Sequence, residues 1–440
     1  MGIPYYLETY GCQMNEYDSL IAATILKNAD YSRVDTPDEA KLVLINTCSV
    51  RENAQQKIYN RLQSLKRLHK KGTRVAVIGC MAQNLGENLL KQGLPVDFVL
   101  GPDELRNLTT LNTQTAYIKT SRTETYEDII PAIDNHAGIK RENLAASVAI
   151  QRGCDKFCSF CVVPYTRGRE RSRSVKSIIT EIRALVDCGM KSIVLLGQNV
   201  NSYNFEQTGF ADLLKIILNE TDVLRLYYTS PHPQDFPREI IELTAREKRI
   251  GNQIHIPLQS GSDEILKKMR RDYTRQEFIS LVTAFRDRIP DVSISTDIIV
   301  GFCGESDSLF QETLDTVEIC QFDFAYTFSY SEREHTFAHK NYPDDIPGEI
   351  KSSRLEKLIE TQRNIALAIN QKYIGEKHYA LIEGISKKNS AEMCGSLLNS
   401  KKVIIPIPEG KTLFDFSGRE YEVEIAHANS QTLRGILTGG

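Results

Sequence analysis

QRGCDKFCSFCVVPYTRGRERSR, residues 151–173, decides how the rest of the chain is read. It sets Cys154, Cys158 and Cys161 within eight residues of one another. Ten cysteines in 440 residues would give roughly 0.005 such triplets by chance. Three thiolates at this spacing fit a loop wrapped around one face of an iron–sulfur cluster, and four irons served by three protein thiolates leave one iron open. An open iron can take a substrate or cofactor, as the vacant position of a catalytic metal site does. Structural zinc prefers four closed ligands, usually as two separated pairs, and no fourth Cys or His stands close by. Zinc and buried free thiols remain the alternatives.

Outward from this loop, six strand candidates alternate with helical stretches: SVAIQRG, SIVLLGQN, LRLYYTSP, NQIHIPLQS, VSISTDIIVGF and FAYTFSYS. Such alternation predicts a parallel barrel or open barrel. Active groups of that architecture come from strand C-termini and the loops after them, and the cysteine loop follows the first strand. Gln198, Asn199, Ser230, Gln259 and Asp297 stand at the other strand ends and are candidates for holding a small ligand, although turn and cap residues also belong there. His232 and His255 read as packing or hydrogen-bonding residues. Arg167, Arg169, Arg171 and Arg173 follow the cysteine loop directly. They suit phosphate gripping or base stacking, with a solvated charge run at a helix start as the plain alternative. Lys267, Lys268, Arg270 and Arg271 read as an ordinary basic helix face. EIKSSRLEKLIETQRNIALAINQKYIG carries Ile350, Leu355, Leu358, Ile359, Ala366 and Ile369 on one stripe, which predicts an amphipathic helix closing the region.

Upstream, three β-like runs each end on a cysteine: PYYLETYGC at Cys12, AKLVLINTC at Cys48 and TRVAVIGC at Cys80. Their spacings of 36 and 32 residues are each about one βαβ unit. The apolar KLVLI and VAVI suit central parallel strands buried on both faces. A doubly wound sheet gathers its ligands at the carboxyl ends of its strands, so all three cysteines are expected on one rim. The alternative is three separately buried thiols. Downstream, HYALIEG, GSLLNSKKVIIPI, REYEVEIAHA and TLRGILTG predict a small β-barrel of a kind often used on oligonucleotides. Lys387, Lys388, Lys401 and Lys402 tilt it toward RNA over an inert cap. Cys188, Cys303, Cys320 and Cys394 have no partner pattern and read as packing thiols.

The expected division is 1–120, a linker at 121–144, 145–372 and 373–440. The fold class is α/β: an N-terminal doubly wound parallel sheet, a central partial (β/α)6 barrel and a small C-terminal all-β, OB-like barrel. A net charge of −3 provides no global basic field, so any polyanion site must be a local patch. No run of about 18 apolar residues argues for a membrane span. MGIPYYLETYG does not read as a signal peptide, so a cytoplasm that keeps thiols reduced is the expected setting.

Taken together, the chain closely resembles the methylthiotransferases of the radical S-adenosylmethionine superfamily over nearly its whole length. GCQMNEYDS, NTCSVRENA and GCMAQ look like the family's auxiliary-cluster motifs, and RGCDKFCSFCVVPYTRGRERSR like its radical cluster motif. LLGQNVNSY, SPHP, HIPLQSGSD and STDIIVGF also match in order. GCQMN with VVPYTRG is similar to the subgroup that acts on isopentenylated tRNA. The subgroup acting on ribosomal protein tends to have GCPKN and AIP, and the threonylcarbamoyl-adenosine enzymes GCKVN. Two departures stand out: Cys303 where the family usually has Pro, and YSEREHTFA, Tyr330 to Ala338, in place of a Pro/Gly-rich loop.

The resemblance implies two 4Fe–4S clusters, held by Cys154, Cys158 and Cys161 and by Cys12, Cys48 and Cys80, together with S-adenosyl-L-methionine. It implies no catalytic side chain beyond these ligands. The C-terminal barrel would be a TRAM domain. The implied substrate is the anticodon stem-loop of a tRNA carrying isopentenyladenosine, with a flavodoxin or ferredoxin as electron donor, a monomeric chain and no membrane. The rival functions are methylthiolation of a ribosomal protein or of another modified tRNA adenosine, and a non-catalytic cluster- or RNA-binding scaffold.

Overall fold

The computed structural model describes residues 2–49, 52–111, 115–131, 144–234 and 236–438, the side chains of 52–55 excepted. Residues 132–143 of the expected linker lie outside the described residues. The chain divides into two compact units: Met1–Phe157 with Cys161–Asp222 and Arg333–Thr336, and Cys158–Phe160 with Val223–Glu332 and Phe337–Gly440.

The first unit is built on a six-stranded parallel sheet, whose strands are β1 (Ile3–Thr9), β2 (Tyr31–Arg33), β3 (Leu42–Thr47), β4 (Arg74–Gly79), β5 (Phe98–Leu100) and β6 (Thr115–Tyr117), in the order β2-β1-β3-β4-β5-β6. Every residue of β3 is buried. Alternation sends Leu42, Leu44, Ala76 and Ile78 to one apolar cluster and Val43, Ile45, Val75 and Val77 to another. A strand covered on both faces has no polar side to show, which is why KLVLI and VAVI read as unbroken apolar runs. The helix α1 (Gln13–Asn28) starts directly after Cys12 and buries Asn15 and Asp18 along with Met14, Tyr17 and Ile21. After α2 (Glu52–Ser64) the chain re-enters the sheet, and α3 (Cys80–Leu85) springs from the end of β4. The same unit holds the parallel pair β7 (Ala145–Ala149) and β8 (Ser192–Leu196), with α4 (Val175–Asp187) between them. Ser174 caps α4 by accepting from Ser177 N, the usual way a Ser satisfies a first-turn amide.

In the second unit β9 (Arg225–Tyr228) precedes the parallel sheet of β10 (Gln253–His255), β11 (Ser293–Val300) and β12 (Phe324–Ser329). The helix α5 (Arg275–Arg288) leads into β11 and carries a reciprocal capping box between Thr274 and Glu277, which satisfies two first-turn amides at once. Then α6 (Asp307–Cys320) joins β11 to β12. All six strand candidates of the barrel series are strands. Cys303 lies in an apolar cluster with Phe302, Met269 and Tyr330, so the thiol fills core where a Pro was expected. The closing helix α7 (Gly348–Gln371) differs from its predicted stripe. Ile350 and Ile359 are exposed, while Lys351, Arg354, Gln362 and Asn370 are buried beside Leu358 and Ala366. The buried polar groups have partners: Lys351 with Asp344, Arg354 with Glu305 and Asp307, and Gln362 with Phe322 O.

The chain ends in a closed barrel of β13 (Lys377–Ser386), β14 (Asn389–Ser396), β15 (Lys402–Pro406), β16 (Glu420–Ala428) and β17 (Leu433–Leu437), ordered β13-β14-β15-β17-β16. Of the strand β14, NSAEMCGS, only the last two residues fall in the sequence reading, which ran GSLLNSKKVIIPI together as one element. Asn389, Ser390 and Ala391 are exposed while Met393 reaches the barrel core, so little apolar signal survives. Arg225 bonds to Ser396 O and pairs with Glu420, and Lys401 pairs with Asp323 at 2.5 Å, tying the barrel to the strands of its own unit. No helix among the described residues is long and apolar enough to cross a membrane.

Candidate metal centres

Strand register brings the first three cysteines together. β3 and β4 pair with Thr47 opposite Gly79, so Cys48 and Cys80 each lie one residue past a matched pair of strand ends. In β1, Thr9 pairs with Asn46, which brings the YGC turn to the same rim. The turn is tight: a Cβ on Gly11, at φ +134°, would come within 2.6 Å of Cys48 Cβ. At Gly79, φ +95°, a Cβ would collide with Asn46 Oδ1 and lie 2.6 Å from Thr47 O. Only glycine tolerates both the left-handed backbone and that approach. Behind the cysteines Asn46 Nδ2 donates to Asn15 O and Ser19 Oγ, and Asn15 Nδ2 donates to Tyr10 O.

Arg167 closes this pocket. Its Nη2 donates to Asn15 Oδ1 at 3.0 Å and Asp18 Oδ2 at 2.8 Å. Burial opposes its charge, but Asp18, Cys80 and Cys12 outweigh burial and hold it cationic. The Cys12 thiol is lowered to about 6, first by its hydrogen bond with Cys48 and then by Arg167, against the effect of burial. Burial pushes the Cys80 thiol up, with Arg167 opposing.

The remaining arginines of the run do not form the RNA-gripping patch expected of Arg167, Arg169, Arg171 and Arg173 together. Gln151–Arg152 and Arg171–Ser172 form a two-residue antiparallel ladder at the base of the cysteine loop, and Gln151, Arg152 and Arg171 are buried there. Arg171 pairs with Asp103 at 2.8 Å, Arg173 with Glu181 at 2.7 Å, and Arg152 lies 2.8 Å from Asp18. Burial pushes the carboxyls of Asp103 and Glu181 up even so. A phosphate could reach the guanidiniums of Arg167, Arg171 and Arg173 only by breaking buried pairs, at several kcal/mol each. Arg169 alone keeps an exposed side chain, paired with Asp155. In this unit four buried guanidiniums, of Arg152, Arg167, Arg171 and Arg173, meet three buried carboxylates. The excess positive charge faces thiols through Arg167, an environment that favours thiolate.

In the second trio, Cys154 N donates to Gly168 O and Val163 N to Cys161 Sγ at 3.5 Å. Cys158, in the other unit, accepts from Arg271 Nη1 at 3.3 Å. The residue after it is clamped from both sides: Ser159 N donates to Met269 O and Ala338 N to Ser159 O. None of the ten cysteines forms a disulfide. Among the described residues no group of three or more His, Cys, Asp or Glu converges tightly enough to hold a single metal ion. A cluster spreads its thiolates over separate irons; the thiols of the first trio with Arg167 beside them, and Cys158 with Arg271 beside it, have the donor chemistry and the counter-charge that such a group needs.

Gln198 Oε1 accepts from Gly153 N at 2.6 Å, bracing the residue before Cys154. Asn199 N donates to Gln151 Oε1, and its buried Oδ1 has no partner among the described residues, an acceptor a bound ligand would satisfy. In the second unit Asp297 Oδ2 lies 3.2 Å from His255 Nε2. Gln259 N donates to Asp297 O. Gln259 and Ser230 both adopt left-handed backbone, at φ +67° and +58°. His255 makes the hydrogen bonds expected of it. Arg271 was read as helix surface, and Asn15, Asp18 and Asn46 were absent from the sequence-based candidates. Their signal is tertiary, although Asn15 and Asp18 stand three and six residues past Cys12 on α1.

Residues 4–101 match the model of Uncharacterized protein family UPF0004, and residues 148–317 match that of the Radical SAM superfamily. The chain is 40% identical to the tRNA-2-methylthio-N(6)-dimethylallyladenosine synthase of Porphyromonas gingivalis, covering 98% of this chain and 94% of that protein. It is 39% identical to the mitochondrial tRNA methylthiotransferase CDK5RAP1 of Rattus norvegicus, covering 98% and 80%. Among solved structures, the radical S-adenosylmethionine methyltransferase TsrM of Kitasatospora setae, with cobalamin and a 4Fe–4S cluster bound, shares the fold at TM-score 0.56 and 15% identity over 75% of each chain.

Proposed function

The chain belongs to the family of the tRNA-2-methylthio-N(6)-dimethylallyladenosine synthases, and on that footing we propose that it inserts a methylthio group at C2 of N6-isopentenyladenosine next to a tRNA anticodon, by a radical S-adenosylmethionine mechanism. One observation carries the reading. Arg167, six residues after Cys161, bonds to Asn15 and lies against Cys80 and Cys12, so the segment that carries Cys161 also reaches the first trio. C2 of adenine is neither a leaving-group site nor an acidic C–H, so side-chain acid–base chemistry cannot activate it. When bound, the clusters and S-adenosylmethionine supply the one-electron chemistry and the sulfur, and the protein supplies position and electrostatics.

Cys154, Cys158 and Cys161 hold the cluster that works with S-adenosylmethionine, and Cys12, Cys48 and Cys80 hold the auxiliary cluster. Gln198, Asn199, Ser230, Gln259 and Asp297 orient the cofactor. Arg167 and Asn15 fix the wall of the auxiliary site, while Arg171 and Arg173 brace the loop through Asp103 and Glu181. Exposed Arg169, with Lys387, Lys388 and Lys402 on the barrel, meets the RNA backbone. The segments 1–120, 145–372 and 373–440 divide these tasks. The chain works as a monomer in the cytoplasm and takes electrons from a flavodoxin or ferredoxin.

The test is anaerobic assay on isopentenylated tRNA, with ribosomal protein as the competing substrate. Methylthio product is expected on the tRNA alone. Cys158→Ala is expected to form no 5′-deoxyadenosine, whereas Cys48→Ala should still cleave the cofactor yet insert no sulfur. Normal methylthio product from Cys48→Ala would refute the assignment of the auxiliary site.

A further inference from the structure

Arg271 is a buried cation whose counter-charge is not a carboxylate. The short helix over Asp263–Lys268 ends at Met269, and Arg270 takes a left-handed conformation, φ +56°. That turn sends neighbouring arginines to different places. Arg270 stacks on the Phe337 ring, while Arg271 runs into the interior, 7% exposed. All three of its nitrogens are engaged: Nε donates to Tyr273 Oη at 3.0 Å, Nη2 to Pro257 O at 3.1 Å and Nη1 to Cys158 Sγ at 3.3 Å. Tyr273 Oη in turn donates to Leu258 O at 2.8 Å, which fixes the guanidinium plane. Among the described residues no carboxylate pairs with Arg271. Burying a cation without an anion costs several kcal/mol, so the missing charge has to come from the sulfur side.

Resting on the reading of Cys158 as a cluster ligand, we propose that Arg271 is the fixed counter-charge of the cluster seated there and a positioning residue that makes it easier to reduce. A cluster held by thiolates grows more negative by one charge when it accepts an electron. A guanidinium that stays protonated and bonds to the ligand sulfur favours that reduced state, because net charge and hydrogen bonds to sulfur set cluster potentials. Arg167 differs in that it has a carboxylate partner, Asp18 at 2.8 Å, which it shares with Arg152. The cation beside Cys158 has none among the described residues.

The experiment uses the reconstituted full-length chain in an EPR-monitored titration with a chemical reductant, comparing wild type, Arg271→Met and Arg271→Lys at matched iron content. Arg271→Met is expected to lower the reduced-to-oxidised ratio at a fixed potential at least tenfold, about 59 mV for one electron. Arg271→Lys should recover most of that shift. An unchanged potential in Arg271→Met, or equal shifts in the two variants, overturns the proposal. Melting before reconstitution supplies a second readout. Apo Arg271→Met should melt no lower than apo wild type and gain less on reconstitution, and a variant that fails to fold even as apo-protein would make Arg271 a structural brace. A wild type without a cluster at the second trio would instead sink the underlying reading.

Discussion

Replacing Asp18 by Asn removes the carboxylate that two buried guanidiniums share. Arg152 Nη1 and Arg167 Nη2 each lie 2.8 Å from an Asp18 oxygen, and all three side chains are at most 4% exposed. Taking one partner from a buried pair costs about 3–5 kcal/mol, because the other charge stays behind without compensation. Here two cations are left. The amide keeps a dipole, however, and Cys80 and Cys12 remain beside Arg167, so the expected loss is about 4 kcal/mol rather than twice that. The chain has no Trp, so urea unfolding is followed by far-ultraviolet circular dichroism on protein matched for iron. Adding Arg152→Met to Asp18→Asn removes one stranded charge and should recover part of the loss. A loss under about 1 kcal/mol, the size of a surface pair, would refute the claim that this network is dry and mutually dependent.

Gly79→Ala forces a Cβ onto Asn46 Oδ1 and Thr47 O. It should cost about 1–3 kcal/mol by overpacking and empty the first trio of iron while sparing the second; full iron loading would count against the tight rim. In cluster-free protein, Cys12, exposed and lowered to about 6, should alkylate before buried Cys80, with a rate that rises through that pH and then levels off. Peptide mass mapping across pH reads this, and uniform labelling would contradict it. Lys387→Glu with Lys388→Glu should weaken tRNA binding and reduce the slope of log affinity against log salt by about 1–2. An unchanged slope would leave the barrel as a cap.

Where a residue's role follows from its place in a strand, the sequence already carried it. KLVLI and VAVI announce strands buried on both faces, and a cysteine at the end of each can only fall on the carboxyl rim. The six barrel strands were legible for the same reason. The burial of Arg167, Arg171 and Arg173 was not legible, because four arginines in seven residues suit a phosphate grip or a solvated face equally well. Their partners Asp18 and Asp103 stand 149 and 68 positions away, and only folding brings them in. Arg271 looked like helix surface because the helix ends two residues before Arg270, a boundary no periodicity marks so close to Lys267 and Lys268. β14 was missed because a barrel strand with one buried face and small residues carries little apolar pattern.

Iron and acid-labile sulfide per chain, with Mössbauer spectra, measured on wild type and on the two triple-cysteine variants, decide the two-cluster assignment. It requires about eight irons in the wild type and about four when either Cys12, Cys48 and Cys80 or Cys154, Cys158 and Cys161 are replaced by Ala. Loss of all iron in one variant and none in the other, or zinc in place of iron, would contradict it.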